Sequence, residues 1–195
     1  MTPDFLAVGH IVKDISADGW RPGGSVSYAT LQASRLGLRT AAVTACGPDV
    51  EPVKALPWAE WAVVPSAKTT TFENVYRESG RNQRVLANAS PISIEAIPAE
   101  WRSAPIVLLG PVAGEIAIEP SLLRPPNGIL GLCAQGWLRE ISRSGVRPIK
   151  TTINQQAAHR YATVRVVVRE QRPTILGSGP GARDRQQFWI ELQRR

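Results

Sequence analysis

The sequence has little of what several function classes require. Of its 195 residues two are cysteine and two are histidine. Cys46 and Cys133 sit in apolar surroundings without CxxC spacing, which reads as two buried free thiols rather than a disulfide, and two cysteines with two distant histidines make no zinc pattern. No metal ligation by these residues is expected. No apolar run approaches the roughly 20 residues of a membrane-spanning helix, and the N-terminus lacks the basic region and apolar core of a signal peptide. A cytoplasmic protein with no membrane partner is expected. No internal repeat is visible either.

What is present is an ordinary globular composition, 43% hydrophobic and 20% charged, in a chain long enough for one domain with a real core. The net charge of +7 is unevenly placed. Residues 1–150 carry 15 Lys+Arg against 13 Asp+Glu, whereas residues 151–195 carry 8 Arg, no Lys and 3 acids. Glutamine also concentrates beyond residue 150. A shift of this kind marks a boundary, so residues 1–150 read as one part and residues 151–195 as a divergent basic tail.

Phe5-Leu6-Ala7-Val8-Gly9 reads as a short buried strand and leads to Asp14, just beyond the strand's C-terminal end. Ligands bind at such ends in open α/β sheets, and a carboxylate there can accept hydrogen bonds from substrate hydroxyls; a solvated turn aspartate is the plainer alternative. Asp18-Gly19-Trp20 reads as a turn. Gly23-Gly24 then forms a loop entering a helix, with Ser25 as its N-cap, an apolar face of Val26, Ala29, Ala33 and Leu36, and Gly37 as its stop. Adjacent glycines and first-turn amides suit hydroxyl or phosphate oxygens, although such a turn is often structural only.

Residues 39–46 read as a second buried strand, completing a parallel βαβ unit. A short helix within residues 52–57 and a strand over 58–65 follow. Two β segments, 69–76 and 84–86, flank a polar turn whose Arg77, Arg81 and Arg84 are solvated charges or meet an anion. A short helix within 92–101 precedes buried strands over 104–110 and 128–134. Gln135 and Arg139 then fall at the same sheet edge as Asp14. In the tail, residues 162–168 suggest a strand and residues 185–192 a short helix.

This order of parts resembles the N-terminal portion of the ribokinase-like (PfkB) family of sugar and nucleoside kinases. The carriers are the Val8-Gly9 strand with Asp14, the Gly23-Gly24 helix, the Leu36-Gly37-Leu38-Arg39-Thr40 link, the Gly47-Pro48-Asp49 turn and the strand over 106–110. The resemblance implies a three-layer α/β/α fold with a small β lid and transfer of the γ-phosphoryl group of ATP, with Mg²⁺, to a sugar or cyclitol hydroxyl. It gives Asp14 the role of holding substrate hydroxyls and Gly23 and Gly24 that of offering main-chain amides. Many members have an asparagine where Tyr28 stands here; Ser27 is its partial substitute. Gln135 and Arg139 match, more weakly, a polar and arginine pair. The resemblance also implies homodimers through the lid.

The family's Gly-Ala-Gly-Asp motif, whose aspartate takes the alcohol proton beside an anion hole, has no convincing counterpart. Losing base and anion hole together removes nearly all phosphoryl transfer. Gly181-Ala182-Arg183-Asp184 is the one partial match, with arginine in place of glycine, so Asp184 is a weak catalytic candidate. The C-terminal half of the family fold is expected to be missing or replaced by unrelated sequence, as after truncation or a frameshift. The leading expectation is a carbohydrate kinase inactive in this form; the alternatives are a non-catalytic sugar-binding or regulatory protein and, weakly, a nucleic-acid binder using the arginine-rich tail. No nucleic-acid-binding motif supports the last.

Overall fold

Thr40–Cys46 is a run of small and β-branched residues buried along its whole length, the pattern of a strand covered on both faces. In the computed structural model, which describes residues 1–77, 80–123, 125, 127–133, 136–137, 139–142, 145–148, 164–166, 169–170 and 188–189, this strand lies inside a six-stranded sheet. Its members are β1 (Phe5–Val8), β4 (Thr40–Cys46), β5 (Glu60–Pro65), β8 (Ile106–Leu109), β9 (Ile129–Cys133) and β12 (Val164–Val166). Their order is β12-β9-β8-β1-β4-β5, and every neighbouring pair is parallel.

Helix α1 (Ser25–Arg35) covers one face of the sheet. Val26 and Ala33 pack there with Phe5, Ala7, Ile11, Ala42 and Cys46, and the short α2 (Pro52–Ala55) lies beside the same cluster. Val26, Ser27, Thr30 and Ala33 form the buried stripe, whereas Leu36, expected on it, is 70% exposed. Leu36 falls at the C-cap, where the backbone has already left the helix. Gly37 then takes φ 81°, with Gly37 N–H on Ser34 O at 2.9 Å and Leu38 N–H on Ala33 O at 3.1 Å, the double bond of a glycine-stopped helix.

The opposite face buries Leu6, Val8, Val43, Leu109 and Leu130 against Ile92, Ile97, Trp101 and Leu123. Among the described residues that covering layer contains 3₁₀ turns (Ile94–Ala96, Ala99–Ser103, Pro120–Leu123) rather than an α-helix, so the short helix expected within 92–101 is two tighter turns. Pro98 and the β-branched residues around it disfavour a longer helix.

A second sheet of order β3-β2-β6-β7 stands beside the first: β2 (Val12–Ser16), β3 (Gly19–Gly23), β6 (Thr70–Arg77) and β7 (Gly80–Ala87). β2 and β3 form a hairpin inserted between β1 and α1, and β2 runs parallel to β6. Asp14 therefore lies on a strand, not in a turn, and Gly23 closes β3 rather than sitting in a loop. Three short pairings complete the described chain: β10 (Arg139–Ser142) with β11 (Gly145–Pro148), β13 (Arg169–Glu170) with β14 (Phe188–Trp189), and β12 on β9. Phe188–Trp189 is extended where a helix over 185–192 was expected; adjacent aromatics favour a strand. No helix among the described residues is long and apolar enough to cross a membrane.

Candidate functional site

Side chains alternate along a strand, so the pairing of Asp14 with Phe72, Phe72 with Val85 and Asn74 with Gln83 puts all five on one face of the small sheet. The apolar part of that face, Val12, Phe72 and Val85, packs on Val112 and Ala113, just past β8. This turns the face toward the ends of the central strands, and the polar remainder continues as Asp14, Asn74 and Gln83. Asn74 Nδ2 donates to Asp14 Oδ1 at 3.0 Å, and Gln83 Nε2 donates to Asn74 Oδ1 at 2.9 Å.

Asp14 pairs with Arg21 across the hairpin and reaches the helix entry because Gly23, two residues further along β3, has no side chain. A Cβ on Gly23 would overlap Asp14 Oδ2, and a Cβ on Gly24 would collide with His10 O. Gly24 has φ 91° and ψ 147°, a left-handed conformation that other residues adopt only under strain, and it is the helix N-cap in place of Ser25. No side chain caps α1, and of its first-turn amides Ser27 N–H donates to Gly24 O at 3.2 Å. Ser27 is buried; its hydroxyl donates to Gly23 O at 2.7 Å and so braces the turn from beneath.

The walls of this junction are held by two buried groups for which the sequence offers only one signal, a charge inside the apolar run 112–118. Glu115 is 4% exposed and accepts amide hydrogens from His10 (3.0 Å), Val112 (3.0 Å) and Ala113 (2.7 Å). It thereby ties the link after β1 to the loop after β8. His10 is fully buried, with Nε2 at 2.9 Å from Ser90 O and Nδ1 at 2.7 Å from the Thr70 hydroxyl. A carbonyl can only accept, so Nε2 carries the proton. Burial pushes the His10 pKa down, opposed by the Glu115 charge and the Ser90 carbonyl. A neutral imidazole fits its surroundings.

Cys133 ends β9 beside Ser25; burial raises its thiol pKa, and the hydrogen bond with Ser25 opposes the rise. Both cysteines are free thiols, Cys46 fully buried and Cys133 half-buried. Asp49, in the Gly47-Pro48-Asp49 turn, is held low by Lys13 Nζ at 2.8 Å and by the Thr69 hydroxyl at 2.7 Å. Lys13 also lies 5.3 Å from the centre of the Trp20 ring. Among the described residues no three His, Cys, Asp or Glu side chains cluster as metal ligands.

Of the residues singled out from sequence, the fold brings Asp14, Gly23, Gly24 and Ser27 together. Arg139 begins β10, the next strand after β9 and part of a separate two-stranded pairing, while Gln135 and Asp184 lie outside the described residues. Arg84 faces Glu73 at 3.5 Å on the exposed side of the small sheet, as a solvated hairpin charge would. Asn74 and Gln83 were not picked out; the signal available was period-two alternation with Phe72 and Val85.

The fold has solved counterparts. The chain superposes on a pyrophosphate-dependent kinase of the ribokinase family in its sulfate complex with a TM-score of 0.61 at 19% identity, covering 83% of this chain and 72% of that one. A pyrophosphate-dependent kinase of that family complexed with a pyrophosphate analogue and myo-inositol gives 0.61 at 19% identity, covering 85% and 72%. A myo-inositol-1 kinase converted into a myo-inositol-3 kinase by two substitutions gives 0.58 at 18%, covering 83% and 69%. The α/β fold is thus ribokinase-like. No protein-family model and no curated protein matches the sequence.

Proposed function

We propose that this chain carries the acceptor site of a carbohydrate kinase, taking a sugar or cyclitol between Asp14 and the Gly23-Gly24 turn. The observation that carries the reading is the approach of the Asp14 carboxylate to Gly23, at the uncapped start of α1, on the sheet face turned toward β8. A carboxylate and main-chain amides facing one space suit a vicinal diol, one hydroxyl donating and the next accepting. Myo-inositol bound by a kinase of the same fold supports that substrate class. Gln135 and Arg139 complete the pocket in this reading, and Ser27 acts through Gly23.

Phosphoryl transfer by this chain is proposed to be negligible. Arg183 replaces the second glycine before Asp184, so neither the base nor the anion hole matches the pattern the chemistry needs. Residues 1–150 form the acceptor part and residues 151–195 a divergent basic tail, of which Val164–Val166 adds the edge strand β12 to the main sheet. The donor in the fold's active relatives is a phosphoanhydride; Mg²⁺-ATP was expected from sequence, whereas the superposed kinases use pyrophosphate. No described residue is assigned to the donor or to Mg²⁺. A lid-mediated homodimer and a cytoplasmic location complete the reading.

Titration calorimetry with D-ribose and with myo-inositol, beside turnover assays with ATP and with pyrophosphate, tests it. Binding of one of these polyols, abolished in Asp14→Ala, with turnover at background is expected. Measurable turnover would refute the binding-only reading, and no polyol binding would refute the site.

A further inference from the structure

Among the described residues the chain passes between the two sheets four times: from β1 to β2, from β3 into α1, from β5 to β6 and from β7 toward β8. All four passages meet at His10. It lies on the first. Its carbonyl oxygen is where a Cβ on Gly24 would collide, so the second turns against it. Its ring lies between Thr70, which opens β6, and Ser90, which follows β7. The third and fourth passages are also tied to each other, Ala89 N–H donating to the Thr70 hydroxyl at 2.9 Å and Ser90 N–H to the Ser66 hydroxyl at 3.0 Å.

The ring's bonds are one hydrogen short. With the proton on Nε2, the Thr70 hydroxyl donates to Nδ1, yet the same oxygen is 3.1 Å from Asn88 Oδ1, a second acceptor. One hydroxyl hydrogen serves only one of them. A proton on Nδ1 removes the conflict: Nδ1–H donates to the Thr70 oxygen, and the hydroxyl turns to Asn88 Oδ1. Asn88 is exposed, so this line of groups runs from the fully buried imidazole to solvent. Glu115 is the charged side chain that meets His10, at the backbone amide; Asp49, reached through Thr69 beside Thr70, is paired with Lys13, and Gly24, Asn88, Ala89 and Ser90 carry no charge.

We propose that His10 is the positioning residue of the acceptor site and that its Nδ1 is a proton-binding site: neutral His10 holds the Gly24 turn and the inserted sheet where a polyol is gripped, and His10 charged through the Thr70 and Asn88 line lets them part. The proposal rests on the acceptor-site reading above and deepens it. His10 is enclosed and acts through the Gly24 turn and through Thr70. An enclosed imidazolium is relieved by moving toward water, and the ring takes with it the passages it joins. Polyol affinity is therefore highest above the titration of His10 and falls as the ring takes the proton.

Two measurements on the full chain test this. In the ligand-free protein, NMR of the His10 ring nitrogens should show Nε2 protonated at pH 7.5 and Nδ1 gaining its proton on acidification, with the Gly24 amide resonance moving at the same midpoint. Asn88→Leu, which removes the waiting acceptor, should lower that midpoint by about half a pH unit or more. A ring that does not titrate before the chain unfolds, a Gly24 amide indifferent to it, or a midpoint unmoved in Asn88→Leu overturns the proton site whether or not any polyol binds. In calorimetry with myo-inositol and D-ribose from pH 7.5 to pH 5, above the ordinary titration of carboxylates, affinity for the polyol that binds should fall about fivefold or more along the titration of the ring. The fall should move to lower pH in Asn88→Leu. In Thr70→Val, which breaks the line, and in His10→Asn, affinity should lie below that of the unsubstituted chain at pH 7.5 and stay flat across the range. A flat profile in the unsubstituted chain, or a fall that persists in either of these variants that folds, overturns positioning by His10, since a merely structural role would lower affinity at every pH without tracking the ring. If neither polyol binds at any pH while the ring and Gly24 respond as stated, the acceptor-site reading fails and the proton site stands.

Discussion

The two sheets are stabilised by different physics. In the main sheet β1 and β4 are buried residue by residue, and order comes from close packing of Leu6, Val8, Val43 and Leu109 with side chains from residues 92–123. The inserted sheet buries a small apolar patch of Val12 and Phe72 and is otherwise organised by polar pairs: Asp14 with Asn74, Asn74 with Gln83, Thr70 with His10. A packed interior tolerates few rearrangements, whereas hydrogen-bonded side chains half open to solvent can exchange partners with a ligand at little cost. In the proposed function the division gives stability to one sheet and recognition to the other.

Substitutions that separate the two properties sharpen that contrast. The largest effect is expected from Leu6→Ala, a fully buried residue on the central strand. It should lower unfolding free energy by about 3 kcal/mol, within the ~2–5 kcal/mol of such truncations, and leave polyol preference unchanged where the protein remains folded. Denaturant unfolding beside calorimetry reads both. Gly23→Ala should do the reverse. Its Cβ overlaps the Asp14 carboxylate, which can swing aside, so the stability loss should stay near ~1 kcal/mol while affinity falls more than tenfold. Equal losses of stability and affinity would erase the distinction.

Third in size is the pH response of His10, which lies where the sheets join. Its pKa is depressed in the folded state by burial, so below the ordinary 6.5 the unfolded chain binds a proton the folded chain refuses. The contribution of neutral His10 is therefore complete above pH 6.5 and is lost as pH falls toward the folded pKa, by at most about 1.4 kcal/mol per pH unit. Melting temperatures between pH 7.5 and pH 5 should fall in the unsubstituted chain and fall less in His10→Asn.

The same contrast explains what could be read without coordinates. Strands β1, β4, β8 and β9 announce themselves as apolar runs ending at Gly9, Gly47, Gly110 and Ala134, because burial on two faces needs no side-chain partner. The β2–β3 hairpin is silent: Lys13, Asp14, Arg21 and Pro22 show no alternation of apolar and polar residues, and their strands exist through pairing with one another and with β6. Asp14 and the glycines were legible as types, but the N-cap fell on Gly24 because φ 91° requires glycine there whatever Ser25 could have offered. Glu115 and His10 were invisible as a unit, since Glu115 accepts the His10 amide from 105 residues away and the imidazole's partners, Ser90 O and the Thr70 hydroxyl, are 80 and 60 residues away in sequence.

The smallest effect expected is also the one that tests what lies over the inserted sheet. Arg84 and Glu73 face each other on its outer side at 3.5 Å, with side chains 57% and 34% exposed. A pair this open and this long contributes less than about 0.5 kcal/mol, because water screens the charges and two flexible side chains must be held. Arg84→Ala should therefore leave the denaturant midpoint nearly unchanged. Leu86, two residues further along β7 on the same side, is 49% exposed, and Val75 on β6 is 36% exposed. If a second copy of the chain covers this side, the pair is desolvated and both hydrophobic residues are buried. Arg84→Ala would then shift the midpoint by more than 1 kcal/mol equivalent, about the upper limit for an exposed pair, and the shift would grow with protein concentration. A small, concentration-independent shift leaves the outer face to solvent and the inner face to the ligand.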